Sequence, residues 1–500
     1  MTTSAQDINA SDSSSRPHSG ATDISPRVRL TIIAVLAASM LLPFAVTGPA
    51  VILPDLAHGL GAGSGASQWV QNAYNTIFAA AVLAAGSLAD RVGRRRVLRT
   101  GIAIFALSAA GIAAAPDILV VDILRGVQGL GAAGIVSAGA AVLAHATSGS
   151  LRVAAFGMLG ASFGAGLAIG PVAAGALGMI GWRAVFVAIA IVSGIAFVLS
   201  RMASESRDDE AGRLDVGGMV TFGGALALLS FGFVSASGQG WLSAPAMASF
   251  VAAVVLIAVF VVVELRNPAA MFDVRLFRSA AFTAVICQPF AVTFGFVVLL
   301  VYLPIYLQGV AGAGEFASAA ALLPMTVPVL LLPLAARRLT AAVSVRMILV
   351  VASVCIGTGL FGMTAIAPHD SALRIAVPLL VFGIGVGLAF CVMDNAAVST
   401  VPVTKAGAAA GMFNTMRITG ESLAVAAAAA VLVSLTAGRV GGASAADALQ
   451  GQAVDPATDA ALTDAMRITF LALAVLAWLA AAFTAWAMRS GDRVAGGGGQ

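Results

Sequence analysis

Apolar runs of about 20 residues alternate with short polar segments along almost the whole chain. A helix of that length crosses the hydrocarbon core of a bilayer, since each residue adds about 1.5 Å. The pattern predicts fourteen membrane-spanning helices, near residues 30–53, 68–88, 97–115, 118–143, 153–178, 183–202, 216–236, 245–264, 281–306, 316–336, 346–367, 373–398, 407–435 and 466–488.

The two ends of the chain do not follow this pattern. Residues 1–26 are rich in Ser, Asp and Thr, a composition that cannot repay the entropy of folding. We therefore expect a disordered cytoplasmic tail at 1–26 and a second cytoplasmic tail at 489–500.

Composition places the chain among polytopic membrane proteins of the all-α class. It has 500 residues, of which 60% are hydrophobic and 10% charged, with a mean hydropathy of +0.99. So much apolar surface cannot be buried in one globular core. The three cysteines and four histidines show no metal-ligand spacing, so we expect no metal site.

Charge predicts the orientation in the membrane. Most of the 27 basic residues lie in loops on the side of the N-terminus, and Arg183, Arg374, Arg439 and Arg467 lie on the other side. The positive-inside rule then puts both termini in the cytoplasm and the protein in the inner (plasma) membrane. Basic residues spread over many loops also argue against a nucleic-acid partner. The segment 437–465 is predicted to be a solvated outer loop.

A dense arginine loop joins the second and third predicted spans. Its glycines allow a sharp reversal, and its aspartate can pair with an arginine or cap a helix. The loop resembles the signature of the major facilitator superfamily at Gly86, Asp90, Arg91, Gly93 and Arg94.

That resemblance implies two six-helix bundles around a central cavity that rock against each other. It also implies that Asp90 holds the cytoplasmic gate closed, through Arg94 and the N-terminus of the span that begins near Ala406. The bundles would be 27–202 and 280–488, joined by a linker 203–279 with two inserted spans. The number of spans and the sequence of the segment from Tyr302 to Gln308 resemble those of the fourteen-span drug:proton antiporters.

Polar groups inside predicted spans are candidates for function, because a charge in lipid is costly. Asp122 and Arg125 share a helix face in span 4, and Arg125 with Gln128 matches a second family signature in which the arginine is thought to assist proton transfer. A purely structural ion pair is the alternative.

Span 5 carries glycines at small-xxx-small spacing, which permits close helix packing. Gly166, Gly170, Pro171 and Gly175 resemble the antiporter signature of exporters in the superfamily. Ordinary packing glycines are the competing interpretation.

The span 1 aspartate that is familiar in the fourteen-span exporters is replaced here by Ala45. Glu421 is our first candidate to carry the proton instead, because depth in the membrane disfavours its charge while Arg417 at i−4 favours it. Asp122 and Asp394 are the other candidates, and a permanent Arg417–Glu421 packing pair is the alternative. Uncharged candidates for the cavity wall are Asn72, Asn75, Gln128, Gln288, Asn395 and Asn414.

These features predict a secondary active exporter of small amphipathic compounds, driven by the proton gradient, with no other cofactor. No P-loop indicates ATP as the driver. A metabolite exporter or a proton-coupled importer of the same fold is the nearest alternative. A membrane-embedded enzyme or a receptor is disfavoured, because clustered loop carboxylates and an appended soluble domain are lacking. The expected partners are the lipid bilayer, the substrate and protons, and we expect a monomer.

Overall fold

A computed structural model describes residues 25–62, 64–207, 215–267, 272–368, 372–402, 406–449 and 455–490, and every regular element in these ranges is helical. Most of the two predicted tails lies outside the described residues. The helices are α1 (Pro26–Val51), α2 (Leu53–Gly59), α3 (Ser64–Val92), α4 (Arg94–Ala113), α5 (Ile118–Ala146), α6 (Gly149–Gly178), α7 (Trp182–Leu199), α8 (Val216–Gln239), α9 (Ala244–Arg266), α10 (Ala280–Gly309), α11 (Glu315–Ala320), α12 (Leu323–Leu331), α13 (Ala336–Ala342), α14 (Val345–Met363), α15 (Ala372–Ser399), α16 (Ala406–Val440), α17 (Gly442–Ala448) and α18 (Pro456–Ala487).

Twelve helices of the described residues are long and apolar enough to cross a membrane. The predicted second span is α3, whose 29 residues are also long enough, although several amides lower its hydropathy. The sequence predicted one continuous helix for the tenth span, and the structure does not show one there. This span is divided into α11, α12 and a 3-10 turn at Leu332–Ala335. Pro324 and Pro333 stand at the starts of α12 and of the 3-10 turn, where the missing N–H of proline ends the preceding helix ladder, whereas Pro328 lies inside α12.

The prediction of a long solvated loop at 437–465 is wrong in its extent. α16 continues to Val440, α17 follows, and α18 begins ten residues before the predicted start. The start of α18 is set by Asp455, whose carboxylate accepts hydrogen bonds from the N–H and hydroxyl of Thr458. These bonds lower the pKa of Asp455. Residues 450–454 lie outside the described residues.

Two groups of helices face each other across the molecule. In the first half, α5 packs on α3 and α4, and α1 packs on α6 and α7. In the second half, α14 packs on α15 and α18, and α10 packs on α16 and α18. The halves meet where α1 contacts α10, α3 contacts α16, and α6 contacts α11 and α12.

The remaining pair, α8 and α9, lies at the side of this interface. α8 packs on α3 of one half and α16 of the other, while most of α9 is exposed. Side-chain hydrogen bonds join α8 to α3, from Thr76 to Ser230 (2.8 Å) and from Gln68 to Ser237 (3.2 Å). The pair therefore covers one edge of the seam between the halves.

Antiparallel helices give the molecule two ends. We call the end with residues 91–96 the arginine end, where the α3–α4 loop meets the chain after α7 through a hydrogen bond from Arg94 N–H to the Ser206 carbonyl (2.9 Å). We call the end with α2, α11 and α17 the far end.

Candidate functional site

A central cavity of about 100 Å³ lies between the two halves. Its walls are mostly apolar and aromatic, and the described polar lining side chains are Thr293, Asp394, Arg417 and Glu421. The other lining residues are Leu42, Pro43, Val46, Phe78, Val136, Gly160, Phe163, Gly164, Leu167, Phe296, Val297, Leu300, Val329, Pro333, Phe390 and Ile418. Drug-sized ligand sites usually measure about 300–1,000 Å³, so a larger ligand requires the halves to move.

The arginine of this cavity pairs with a different carboxylate from the one we expected. Arg417 Nη1 lies 3.7 Å from Asp394 Oδ1, and Arg417 Nη2 donates to Asn414 Oδ1 at 2.9 Å. The Arg417 guanidinium also lies over the Phe163 ring, 5.6 Å from its centroid. No Arg417–Glu421 ion pair is therefore present among the described residues, although the Arg417 charge still acts on the Glu421 carboxylate. Within the part of the chain that the structure describes, Glu421 makes no hydrogen bond or ion pair.

The second candidate, Arg125, is fully buried and held by three acceptors. It donates to the Val70 carbonyl (2.7 Å), the Gln128 Oε1 (2.7 Å) and the Ala45 carbonyl (2.9 Å). Its guanidinium also lies over the Tyr74 ring, 4.4 Å from the centroid. Arg125 thus joins α5 to α1 and α3.

Proline explains why the Ala45 carbonyl can accept this bond. In an α-helix the carbonyl of residue 45 would accept from the N–H of residue 49, but Pro49 has none. Arg125 supplies the missing donor from another helix. Ala45, which we compared with the span 1 aspartate of the fourteen-span exporters, is therefore in direct contact with Arg125 through its backbone carbonyl.

Asp122 does not pair with Arg125, although the two share a face of α5. No ion pair joins them among the described residues, and Asp122 Oδ1 is buried without a hydrogen-bond partner there. The alternative of a structural Asp122–Arg125 ion pair is therefore wrong. Asp122 also lies outside the central cavity.

The uncharged candidates lie in several different environments. Gln128 is bound to Arg125, and Asn414 is bound to Arg417. Gln288 lies in the packing of the second half, where it donates to Ser353 (2.5 Å) and is not part of the cavity wall. Asn395 is exposed, and Asn72 and Asn75 are buried on α3 outside that wall.

The arginine loop contains the predicted pair. Arg94 Nε donates to Asp90 Oδ1 at 2.9 Å, and Gly93 separates α3 from α4 with a φ of 124°, which favours glycine. A contact that the sequence did not predict comes from Glu205, which accepts from the Arg95 N–H (3.0 Å) and lies 3.6 Å from Arg96 Nε. Glu205 therefore caps the positive N-terminus of α4. Gly86 faces α5, where a Cβ would meet Ser137, and Arg91 lies in the last turn of α3. Residues 403–405, next to the predicted gate partner near Ala406, lie outside the described residues.

The glycines of α6 allow neighbouring helices to approach closely. A Cβ at Gly166 or Gly170 would overlap α1 at Met40 and Thr47. A Cβ at Gly175 would lie 3.0 Å from the Glu315 carbonyl oxygen of the second half. One face of α6 thus packs within its own half and another contacts the opposite half, with Pro171 inside the helix. Packing is the role that this geometry supports for these residues.

The two ends of the cavity differ. At the far end, Gln308 Nε2 donates to the Val51 carbonyl across the interface (3.0 Å), and α6 contacts α11. Toward the arginine end, the Asp394 side chain is 56% exposed although it lines the cavity. The halves are therefore joined at the far end, while the cavity wall is exposed at Asp394 toward the arginine end.

Sequence reasoning did not identify the aromatic walls of the cavity. Phe78, Phe163, Phe296 and Phe390 come from four helices and look like any other apolar residues of a span. The sequence does show that Pro49 lies four residues after Ala45. Because proline has no N–H, this spacing could have indicated that the Ala45 carbonyl lacks its helical donor.

Comparisons with known proteins agree with this geometry. Residues 33–214 match the Major Facilitator Superfamily model. The chain is 29% identical over 390 residues to the multidrug resistance protein Stp of Mycobacterium tuberculosis, covering 77% of this chain and 72% of Stp. It is 28% identical over 430 residues to the tetracenomycin C resistance and export protein of Streptomyces glaucescens, covering 85% and 79%. It is 29% identical over 413 residues to the puromycin resistance protein pur8 of Streptomyces alboniger, covering 80% and 81%.

Solved structures of the same fold include a POT family transporter bound to a thioalcohol-conjugated peptide. Its TM-score is 0.66, with 13% identity, over 93% of this chain and 96% of that one. A peptide transporter POT bound to sulfate has a TM-score of 0.63, with 12% identity, over 91% and 95%. At these identities the likeness is one of fold.

Proposed function

We propose that this chain, whose residues 33–214 match the Major Facilitator Superfamily model, is a fourteen-span drug:proton antiporter of that superfamily and exports small amphipathic compounds across the plasma membrane. The observation that carries the proposal is the central cavity, whose aromatic walls suit an apolar substrate and whose carboxylates can hold a proton or a positive charge. The relatives named for resistance to tetracenomycin C and puromycin support export as the direction.

The proposal assigns the arginine end and both termini to the cytoplasm, in agreement with the positive-inside rule. The open side of the cavity then faces the cytoplasm, from which an exporter takes its substrate. Release requires the far-end contacts, such as Gln308 with Val51, to separate while the arginine end closes. We propose a monomer that needs the proton gradient and no other cofactor, and that catalyses transport rather than a chemical reaction.

Within this cycle we assign the proton to Glu421. Arg417 is occupied by Asp394 and Asn414, so Glu421 faces an apolar cavity without a bonded cation. A carboxylate in such a site binds a proton when the cavity is dry and releases it when the cavity fills with water. Asp394 and Asp122 are the runners-up.

Efflux into inverted membrane vesicles tests the function, with ethidium and puromycin as probes. We expect uptake into the vesicles that stops when a protonophore is added. Uptake that is unchanged by the protonophore would contradict antiport. Movement of substrate only out of the inverted vesicles would indicate an importer of the same fold.

Glu421→Gln tests the coupling assignment in proteoliposomes. Substrate-driven proton release should be lost, while substrate exchange without a pH gradient should persist, because the glutamine keeps the size of the side chain and cannot titrate. Asp394→Asn is the matched comparison. Normal proton release by Glu421→Gln together with its loss in Asp394→Asn would move the assignment to Asp394.

A further inference from the structure

A second cavity lies at the far end, where α8 and α16 end and α17 begins. Its volume is about 580 Å³, and small residues, two serines and one indole form its walls. Trp241 Nε1 donates to Ser434 Oγ at 2.7 Å, and the Trp241 ring stacks with Phe250 at 6.2 Å between centroids. None of its described lining residues is charged. We call this cavity the vestibule, with Ser237, Trp241, Ser434 and Gly438 in its walls.

A stripe of amides on α3 leads from the vestibule to the central cavity. Gln68, Gln71, Asn75 and Phe78 follow each other at spacings of three, four and three residues, which places them on one helix face. Gln68 Nε2 donates to Ser237 in the vestibule wall, and Phe78 lines the central cavity with Glu421. The three amides span about 10 Å at 1.5 Å per residue, and Phe78 lies about 5 Å beyond them.

The stripe contains buried polar atoms without partners among the described residues. These atoms are Gln68 Oε1, both side-chain polar atoms of Gln71, and Asn75 Nδ2. Gln71 and Asn75 are each 2% exposed. On the neighbouring helix α16, Thr419 Oγ1 and Ser422 Oγ are in the same condition. Buried polar groups are normally hydrogen-bonded, so the row of amide atoms on this face of α3 indicates a partner that can both donate and accept. Water has this chemistry.

The inserted helix α8 explains how such a stripe can exist in a membrane. α8 packs on both α3 and α16, and its Ser230 and Ser237 accept hydrogen bonds from α3. Trp69 of α3 also contacts Phe231 of α8, with ring centroids 6.4 Å apart. α8 therefore shields the edge of the amide stripe from lipid, and its end forms a wall of the vestibule.

We propose that the amide stripe is a hydrated proton route that joins the vestibule to Glu421 while the two halves remain closed at the far end. A proton enters as hydronium, passes between waters held by the amides, and forms an O–H bond with the Glu421 carboxylate, leaving neutral water behind. This role rests on the proposed proton coupling. The proposal gives the inserted pair α8 and α9 a role in proton transport. A proton route that ran only between the two halves would not involve these helices.

Access to the stripe can be tested without any transport. A cysteine replaces Gln71 in a chain whose Cys287, Cys355 and Cys391 are serines, and a small membrane-impermeant thiol reagent is added outside. We expect labelling, and we expect Gly438→Trp, which fills the vestibule, to slow it several-fold. Met179→Cys, 77% exposed at the same end, is the control, and its labelling should not change with Gly438→Trp. Absence of labelling at position 71, or equal labelling with the vestibule filled, would overturn the route.

Proton movement is tested with Gln71→Met, which keeps the size of the side chain and removes its polar atoms. Since neither atom bonds to another described residue, the substitution breaks no hydrogen bond within the protein, and thermal stability should be unchanged or higher. Proton release driven by ethidium should slow several-fold, while ethidium exchange should persist. Ile77→Met, on the exposed side of the same helix, should behave as wild type. Unchanged proton release in Gln71→Met would refute the route. A wild-type protein without any proton release would refute the antiporter instead, and the labelling result would still decide whether water reaches the stripe.

Discussion

The contact between Arg125 and the Ala45 carbonyl makes a quantitative prediction about stability. Arg125→Met removes the only side-chain donor that the described residues offer to this carbonyl, because Pro49 cannot donate to it. Pro49→Ala restores the backbone N–H and gives the carbonyl a partner in its own helix. The cost of Arg125→Met should therefore be smaller when residue 49 is alanine.

The size of the coupling follows from the bond that is lost. A hydrogen bond to a charged group contributes about 1.5–3 kcal/mol, and a buried acceptor left unpaired costs about 1–3 kcal/mol. Interhelical hydrogen bonds in membrane proteins have averaged about 0.6 kcal/mol in double-mutant cycles. We expect a coupling free energy of about 1–2 kcal/mol, because this carbonyl has no backbone alternative in the wild-type chain.

The assay is a double-mutant cycle on the free energy of unfolding in mixed micelles, titrated with sodium dodecyl sulfate. The control cycle uses Pro43→Ala, because Pro43 withdraws its N–H from the carbonyl of residue 39, which Arg125 does not contact. Arg125→Met and Pro43→Ala should be additive. Additivity in the Pro49 cycle as well, or a coupling of equal size in both cycles, would refute the reasoning.

Three further outcomes are expected. Gly175→Leu should reduce efflux strongly and cost about 1–3 kcal/mol in stability, because a side chain there meets the backbone of α11. Gly194→Ala has open space around it and should change neither efflux nor stability. Equal efflux by the two variants would contradict the close approach. Asp90→Asn should lower transport without lowering expression, since it breaks the ion pair with the loop arginine, and normal transport rates would count against a gating role. In a cysteine-free background, an impermeant thiol reagent applied to intact cells should label a cysteine at Leu242 and not one at Ser204, and the reverse result would invert the orientation.

Much of the fold was predictable because membrane-spanning helices are encoded locally. In lipid every backbone polar group must be satisfied within the segment, so a long apolar run has few alternatives to a helix. The arginine loop was equally local, and its Asp90–Arg94 pair lies within one turn of sequence. The broken tenth span departs from the prediction for a local reason too, since prolines stand at the starts of α12 and of the 3-10 turn that follows it.

Partners across helices were decided by the tertiary structure. The i, i+4 spacing favoured Arg417 with Glu421, but α15 brings Asp394 to the same guanidinium, and an interhelical partner is invisible to helical periodicity. The sequence shows that Gln71 and Asn75 are polar residues within a span, but their role depends on which residues pack beside them. Only the packing of α8 against α3 and α16 places these amides between two cavities, because such contacts join residues more than 150 positions apart in the chain.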